Sequence, residues 1–169
     1  MVASIEQKRE AFWKLHESGC FVIPNPWDVG SARLLANMGF KALASTSSGY
    51  AWSTGRQDND VTCDDVLAHL KLINGATDLP VNADFEGGFA DDPAGVAANV
   101  TRGVATGVAA LSIEDSTGKA AAPLYDSALA VERIRAARQA IDASKSRVML
   151  VGRCEGFLVG VNDINTVTA

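Results

Sequence analysis

Apolar runs of strand length alternate with segments of helical periodicity along the whole chain. Five short apolar runs predict strands, at residues 21–25, 41–46, 79–84, 108–114 and 147–153. The segments between them show helical spacing and begin with residues that cap helices, namely Asp28, Thr62, Asp92 and Asp126. A further helix is predicted over residues 4–18, and VNDINTVTA predicts the start of another. This alternation predicts an α/β fold with a parallel sheet.

The same pattern favours a barrel over an open nucleotide-binding sheet. The first strand leads into NPWDVGSA rather than GxGxxG, and a Walker A loop is absent. A closed (β/α)8 barrel needs roughly 250 residues, so 169 residues would supply about five of its eight units. We therefore expect one domain over residues 1–169, an incomplete TIM-type barrel with an N-terminal helix.

Composition narrows the range of partners and compartments. A net charge of -5 argues against nucleic acid and anionic membranes, because both select basic surfaces. No apolar stretch is long enough to span a bilayer, and the N-terminus shows no signal-peptide core. The three cysteines are dispersed and are expected to fill the core of a cytoplasmic protein. Both histidines, His16 and His69, are expected at helix surfaces, which argues against a Ser-His-Asp triad.

Acidic residues occur just where three of the predicted strands end. They are Asp84 with Glu86, Glu114 with Asp115, and Glu155 beside Arg153. The carboxyl ends of parallel strands meet at one edge of a sheet, where α/β proteins bind ligands. The alternative is that these acids cap the helices that follow, and for Asp91 and Asp92 we favour that interpretation.

Strand alternation would place Asn82, Asp84 and Glu86 on one face if the extended backbone continued past the strand. Oxygen ligands of this kind suit Mg²⁺ or Mn²⁺ rather than zinc. Glu114, on the next strand, would then hold metal-bound water. Its alternative role is an ordinary charge in a loop.

An arginine and a Ser/Gly-rich loop can each be interpreted in two ways. Arg153 follows a buried run, so it either pairs with Glu114 or Glu155 or binds a substrate carboxylate. Ser45, Thr46 and Ser47 open a Ser/Gly-rich loop, SSGYAWSTGRQDND, which is either a plain turn or a site where backbone N–H groups approach an anion.

Taken together, these stretches resemble the isocitrate lyase/phosphoenolpyruvate mutase superfamily. The resemblance rests on NPWDVGSARLLANMGFKALASTSSG, GRQD, LPVNADFEGGFADDP, SIED and GRCEGFLVG, in this order, and covers nearly the whole chain. It is strongest to carboxyvinyl-carboxyphosphonate phosphorylmutase-like and 2-methylisocitrate lyase-like members.

The resemblance implies a modified (β/α)8 barrel that forms homo-oligomers, dimers or tetramers, by swapping a C-terminal helix. It implies Mg²⁺-dependent cleavage or formation of C–C or P–C bonds next to a small 2-oxo acid or phosphonate, through a pyruvate-enolate-like intermediate. Metal and arginine would stabilise the negative charge of that intermediate.

The resemblance also assigns roles by position. Ser45, Thr46 and Ser47 match the loop that binds the substrate's carboxylate and oxo group, and Asp58 matches an acid near the metal. Asn82 and Asp84 match paired aspartates, while Glu114 and Arg153 match the acid and the arginine of the next two strands.

The chain departs from the family pattern in three ways. Asn82 stands where the family has a metal-binding aspartate, and Glu86 is a candidate to restore the lost charge. The gating loop, STGKAAAPLYD, keeps Lys119 as a possible catalytic remnant but has no cysteine, which argues against isocitrate or methylisocitrate lyase activity. Residues from strands six to eight are missing, so we expect the 169-residue chain alone to be inactive. The competing hypothesis is therefore a non-catalytic, truncated paralogue that retains the fold.

Overall fold

The computed structural model describes residues 2–161 and 163–168, which contain seven helices and four strands, with one or two helices before each strand. The helices are α1 (Ile5–Leu15), α2 (Val29–Asn37), α3 (Ser47–Ser53), α4 (Cys63–Ala76), α5 (Pro93–Val104), α6 (Ser127–Ala143) and α7 (Ile164–Thr168). The strands are β1 (Leu43–Ala44), β2 (Val81–Asp84), β3 (Ala110–Glu114) and β4 (Met149–Arg153).

The four strands form one parallel sheet in the order β1-β2-β3-β4. The register sets Asp84 opposite Ser112 and Glu114 opposite Arg153. Consecutive strands are therefore neighbours, and their carboxyl ends lie side by side at one edge. The predicted α/β fold with a parallel sheet is confirmed.

The predicted helix starts are correct because short side chains cap them. Asp28 and Thr62 each accept a hydrogen bond from the backbone N–H three residues later. Asp92 does the same for Gly95, with Pro93 in the first turn, and Asp126 caps α6 through Ala128 N. These bonds satisfy donors that a helix leaves free at its N-terminus.

The first predicted strand is wrong, since residues 21–25 form no strand. The segment still lies beside β1, because Ala44 N donates to Pro24 O at 3.1 Å and Asn25 Nδ2 donates to Ala44 O at 3.1 Å. Pro24 and Pro26 carry no N–H group, so a ladder cannot continue along this edge. The described sheet thus has four strands instead of five.

The loop predicted after the second strand is also partly wrong, because it contains helix α3. Thr46 caps this helix by accepting from Gly49 N at 3.3 Å. Serine, threonine and glycine are equally typical of turns and of helix starts, so composition alone does not separate the two.

The core lies between the sheet and helices α4, α5 and α6, and a smaller cluster joins α1 to the opposite face through Phe12. Two buried cations of α1 anchor that helix. Lys8 Nζ donates to the carbonyls of Asn74 and Thr77, and Arg9 donates to those of Val104 and Val108. These carbonyls lie at or after the ends of α4 and α5, where cations are favourable.

Side-chain burial corrects two expectations. Cys20 and Cys154 are exposed and Cys63 is half-buried, because they lie in connecting segments or at a helix start rather than in the core. His16 is exposed as expected, but His69 is buried and stacks on Tyr50 with ring centroids 4.0 Å apart. Among the described residues, no helix combines the length and apolarity needed to cross a membrane.

Candidate active site

A cleft of about 580 Å³ opens at the carboxyl edge of the sheet. Eight of the ten predicted site residues line it: Ser45, Thr46, Ser47, Asp58, Asn82, Asp84, Glu114 and Arg153. They come from the ends of all four strands and from the segment after α3. The folded chain therefore brings together residues that are more than one hundred positions apart in sequence.

The remaining two predicted residues, Glu86 and Lys119, line a smaller neighbouring cleft of about 300 Å³. The two clefts share a wall formed by Asn59, Glu114 and Ser116. The expectation that Glu86 shares a face with Asn82 and Asp84 is wrong. Strand β2 ends at Asp84, and Glu86 adopts a left-handed φ of 46°, so the period-2 alternation stops before it.

Arg153 contacts three carboxylates at once. Its Nη1 lies 3.3 Å from Asp84 Oδ1 and 3.4 Å from Glu114 Oε2, and its Nε donates to Glu155 Oε1. Asp115 supports Glu155 by accepting from its backbone N–H at 2.8 Å. Both sequence alternatives that involved pairing are therefore realised, with Asp84 as an additional partner.

Asp84 is held from the other side by the segment that follows β1. Its Oδ2 accepts from both the backbone N–H and the Oγ of Ser47, at 2.8 and 2.9 Å. Its own N–H donates to Ser45 Oγ at 2.9 Å. Two hydrogen bonds from Ser47 and the ion pair with Arg153 thus fix this carboxylate, and the bond to Ser45 fixes its backbone. The Ser47 donors that were expected to bind a substrate anion bind the Asp84 carboxylate instead.

Crowding of buried acids changes their protonation. Burial, together with the charges of Asp84 and Glu114, raises the pKa of Glu86 to about 8. Burial raises the pKa of Glu114 to about 7, although Arg153 opposes that rise. Burial lowers the pKa of Arg153, but its hydrogen bond to Glu155 and the charges of Asp84 and Glu114 outweigh that effect and raise it. The cleft thus holds more acidic groups than Arg153 alone can neutralise.

The oxygen donors in the cleft suit a hard divalent cation, but they do not surround it completely. Asn82 Oδ1 and Glu86 Oε1 are buried without a hydrogen-bond partner, and both are hard oxygen donors. Across residues 2–161 and 163–168, no three His, Cys, Asp or Glu side chains converge into a metal site by themselves. Mg²⁺ commonly uses one or two carboxylates and completes its shell with water or substrate oxygens.

Asp58 and Lys119 occupy more peripheral positions. Asp58 is exposed at the mouth of the larger cleft, where its Oδ1 accepts from Asn59 N at 3.1 Å. Lys119 is exposed and pairs with Asp91 Oδ2 at 2.9 Å. Asp91 is thus bound to the loop after β3 and does not cap a helix, whereas Asp92 does.

Several residues in or beside the site were not predicted from the sequence, and three of them bear on its geometry. Ser112 lines the larger cleft and donates to Ala83 O at 3.0 Å. Its position two residues before Glu114 in LSIED was a usable signal, because alternate strand residues share a face. Asn25 lines the cleft from the segment that the sequence predicts as the first strand. Buried Arg133 has no local sequence signal, because the carbonyls to which it donates lie more than forty residues away.

The protein is of the α/β class, and its parallel sheet carries acids, an amide and an arginine at the carboxyl ends of the strands. This is the edge at which α/β proteins bind ligands. Residues 12–168 match the family described as phosphoenolpyruvate phosphomutase. The chain therefore belongs to this family, within the phosphoenolpyruvate mutase/isocitrate lyase superfamily that the sequence resembled.

Solved structures show the same fold. A Burkholderia cenocepacia J2315 protein, provisionally described as a lyase/mutase, is 45% identical with a TM-score of 0.93, over 96% of this chain and 59% of that one. A 2,3-dimethylmalate lyase is 31% identical with a TM-score of 0.83, over 98% of this chain and 57% of that one.

A curated relative, an uncharacterized protein of Mycobacterium tuberculosis, is 35% identical over 130 residues. The match covers 76% of this chain and 48% of the relative. The chain thus spans about half the length of the curated relative that it matches.

Proposed function

We propose that the protein is a Mg²⁺- or Mn²⁺-dependent lyase or mutase that acts on a small 2-oxo acid or phosphonate. The observation that carries this proposal is the grouping of Asn82, Asp84 and Glu114 with Arg153 in one cleft. Family membership and the lyase and mutase descriptions of the solved relatives support it. They do not favour the alternative of a non-catalytic paralogue.

In this proposal one group of residues binds the cation and another binds the substrate. Asp84, Asn82 and Glu114, with Glu86 in the neighbouring cleft, would hold the cation. When bound, the cation would polarise the oxo group of the substrate and offset negative charge. Arg153 would bind the substrate carboxylate and stabilise an enolate-like intermediate of the substrate.

The segment after β1 would complete the substrate site. Because Ser47 is occupied by Asp84, its role is to orient that carboxylate. The hydroxyls of Thr46 and Ser48, which lie 3.2 Å apart, would meet the substrate oxygens, with Ser45 beside them. Asp58 and Lys119 are candidate proton donors or acceptors at the rim, and either a C–C or a P–C bond would be cleaved or formed. We expect a cytoplasmic homo-oligomer.

A thermal-shift experiment tests the proposal with Mg²⁺ and with oxalate, a mimic of the enolate. Each ligand alone should change the melting temperature little, and the two together should raise it, because ligands that bind the native state stabilise it. Asp84→Asn should abolish the combined shift, whereas Asp142→Asn, at an exposed helix pair, should retain it. The absence of a combined shift in the wild-type protein would contradict the proposal.

A further inference from the structure

The loop that follows β2 has an unusual backbone. Within four residues, Glu86, Gly88 and Phe89 adopt left-handed φ values of 46°, 76° and 56°. Glycine adopts this conformation freely, but for Glu86 and Phe89 it is unfavourable. Such strain persists only where surrounding contacts determine the conformation, and it concentrates at functional sites.

Contacts from three elements surround this loop. Asn99 Nδ2 of α5 donates to the carbonyls of Gly88 and Phe89, and Glu114 N of β3 donates to that of Glu86. From α6 the loop is contacted by Arg133, a buried residue that is 1% exposed. Its Nη1 donates to the carbonyl oxygens of Ala90 and Asp91, both at 2.5 Å, and its Nη2 donates to that of Gly87. The two nitrogens of one planar guanidinium thus hold three carbonyls of the strained loop. The fit is close, since a Cβ on Gly87 would lie 3.1 Å from Arg133 Nη2.

The same guanidinium supports the loop after β3. Its carbon lies 3.8 Å from the centroid of the Tyr125 ring, which is cation–π geometry. Tyr125 Oη donates to Asp91 Oδ1 at 2.6 Å, and Lys119 Nζ pairs with Asp91 Oδ2. The loops after β2 and β3 are therefore tied to each other and to α6.

These two loops line most of the smaller cleft, together with Asn59 and Glu114 of the wall shared with the larger one. Glu86 lines the smaller cleft, and its Oε1 is buried without a hydrogen-bond partner. Gly87, which Arg133 holds, follows Glu86 directly in the chain. A shift of the loop would move the Glu86 carboxyl relative to Glu114.

We propose that Arg133 is a positioning residue: its guanidinium holds the strained loop after β2 so that Glu86 faces the cation site. This inference rests on the proposed function, since it assumes that a divalent cation binds beside Glu86. A bidentate fork is required, because a lysine ammonium is a single point donor and does not stack on tyrosine in the same way.

The test combines hydrogen exchange with Mn²⁺ titration. Arg133→Met keeps an apolar stem but removes all donors, and Arg138→Met is the matched control on the same helix, where Arg138 pairs with exposed Asp142. In the metal-free protein, Arg133→Met should speed amide exchange in residues 86–91 and 117–125 by about tenfold, with α1 and α4 unchanged. Mn²⁺ affinity, followed by electron paramagnetic resonance, should fall about tenfold. The control variant should match the wild type in both measurements.

Each outcome decides one part of the inference. Uniform acceleration of exchange across the chain would show that Arg133 is only a general stabiliser and would overturn the proposal. Unchanged Mn²⁺ affinity in a folded Arg133→Met variant would overturn it too. If the wild-type protein binds no Mn²⁺, the proposed function fails. The exchange pattern then still decides whether Arg133 holds the loop after β2.

A second variant covers the case in which Arg133→Met does not fold. Arg133→Lys retains the charge and the stem, so it should fold. It should show the same local acceleration and the same loss of Mn²⁺ affinity, by a smaller factor. Wild-type values in this variant would show that the guanidinium fork is not required.

Discussion

Replacing Arg153 with methionine removes a cation that contacts three carboxylates at the carboxyl edge of the sheet. Asp84 and Glu114, at 3.3 and 3.4 Å, and Glu155 would lose this partner while remaining largely buried. We expect the metal-free protein to be less stable as a result. Added Mg²⁺ should recover part of the loss, because a cation can replace the missing charge.

The expected size follows from distance and exposure. At an effective dielectric constant of about 20, each of the two longer contacts is worth about 5 kcal/mol of direct attraction. Desolvation offsets most of this attraction, and 42% of the Arg153 side chain is exposed to solvent that screens it. A net loss of about 1–2 kcal/mol remains. For 169 residues, that loss lowers the melting temperature by about 3–6 °C.

The assay is urea and thermal unfolding in the presence of a chelator. Arg102→Met is the control, since Arg102 pairs with Asp64 at an exposed site and should cost less than about 0.5 kcal/mol. A double-mutant cycle of Arg153→Met with Asp84→Asn should show a coupling of about 1 kcal/mol. A coupling below about 0.3 kcal/mol would refute the inference that Arg153 and Asp84 stabilise each other.

Three further substitutions test the protonation and charge of buried groups. Glu86→Gln should stabilise the metal-free protein at pH 8 more than at pH 5, because the folded-state pKa of Glu86 is raised from 4.5 to about 8 and stability is lost as pH rises through that range. The same variant should bind Mg²⁺ more weakly in a calorimetric titration, and unchanged affinity would exclude Glu86 from the cation site. Burial lowers the pKa of His69 to about 4, so the protein should lose stability as pH falls from 6.5 towards 4, and His69→Phe should remove that loss in urea titrations at each pH. Asn82→Asp should tighten Mg²⁺ binding roughly tenfold, because it adds a carboxylate oxygen beside the cation; weaker binding would show that the Asn82 amide is not a ligand.

Features governed by local sequence were predictable. Asp28, Thr62, Asp92 and Asp126 begin helices because each caps the backbone within three residues of itself. The ends of the later strands followed from their apolar runs. Eight of the ten site residues then lie in one cleft because parallel strands end at the same edge.

The errors occur where distant contacts override local pattern. Glu86 leaves the expected face because a left-handed turn, held by Arg133 of a distant helix, replaces the extended backbone. His69 is buried because Tyr50 of α3 covers it. The simultaneous contacts of Arg153 with Asp84 and Glu114 depend on the curvature and register of three strands, which sequence spacing does not specify.

The most direct test of the central claim is the location of a bound divalent cation. Paramagnetic broadening by Mn²⁺ in a ¹⁵N-labelled sample reports which amides lie near the ion. We predict broadening at Ser45, Asp84, Glu114 and Arg153 at low Mn²⁺ concentration, with α1 unaffected and the effect lost in Asp84→Asn. Broadening confined to exposed acids away from the cleft, or unchanged in Asp84→Asn, would contradict the claim that this cleft is the cation site.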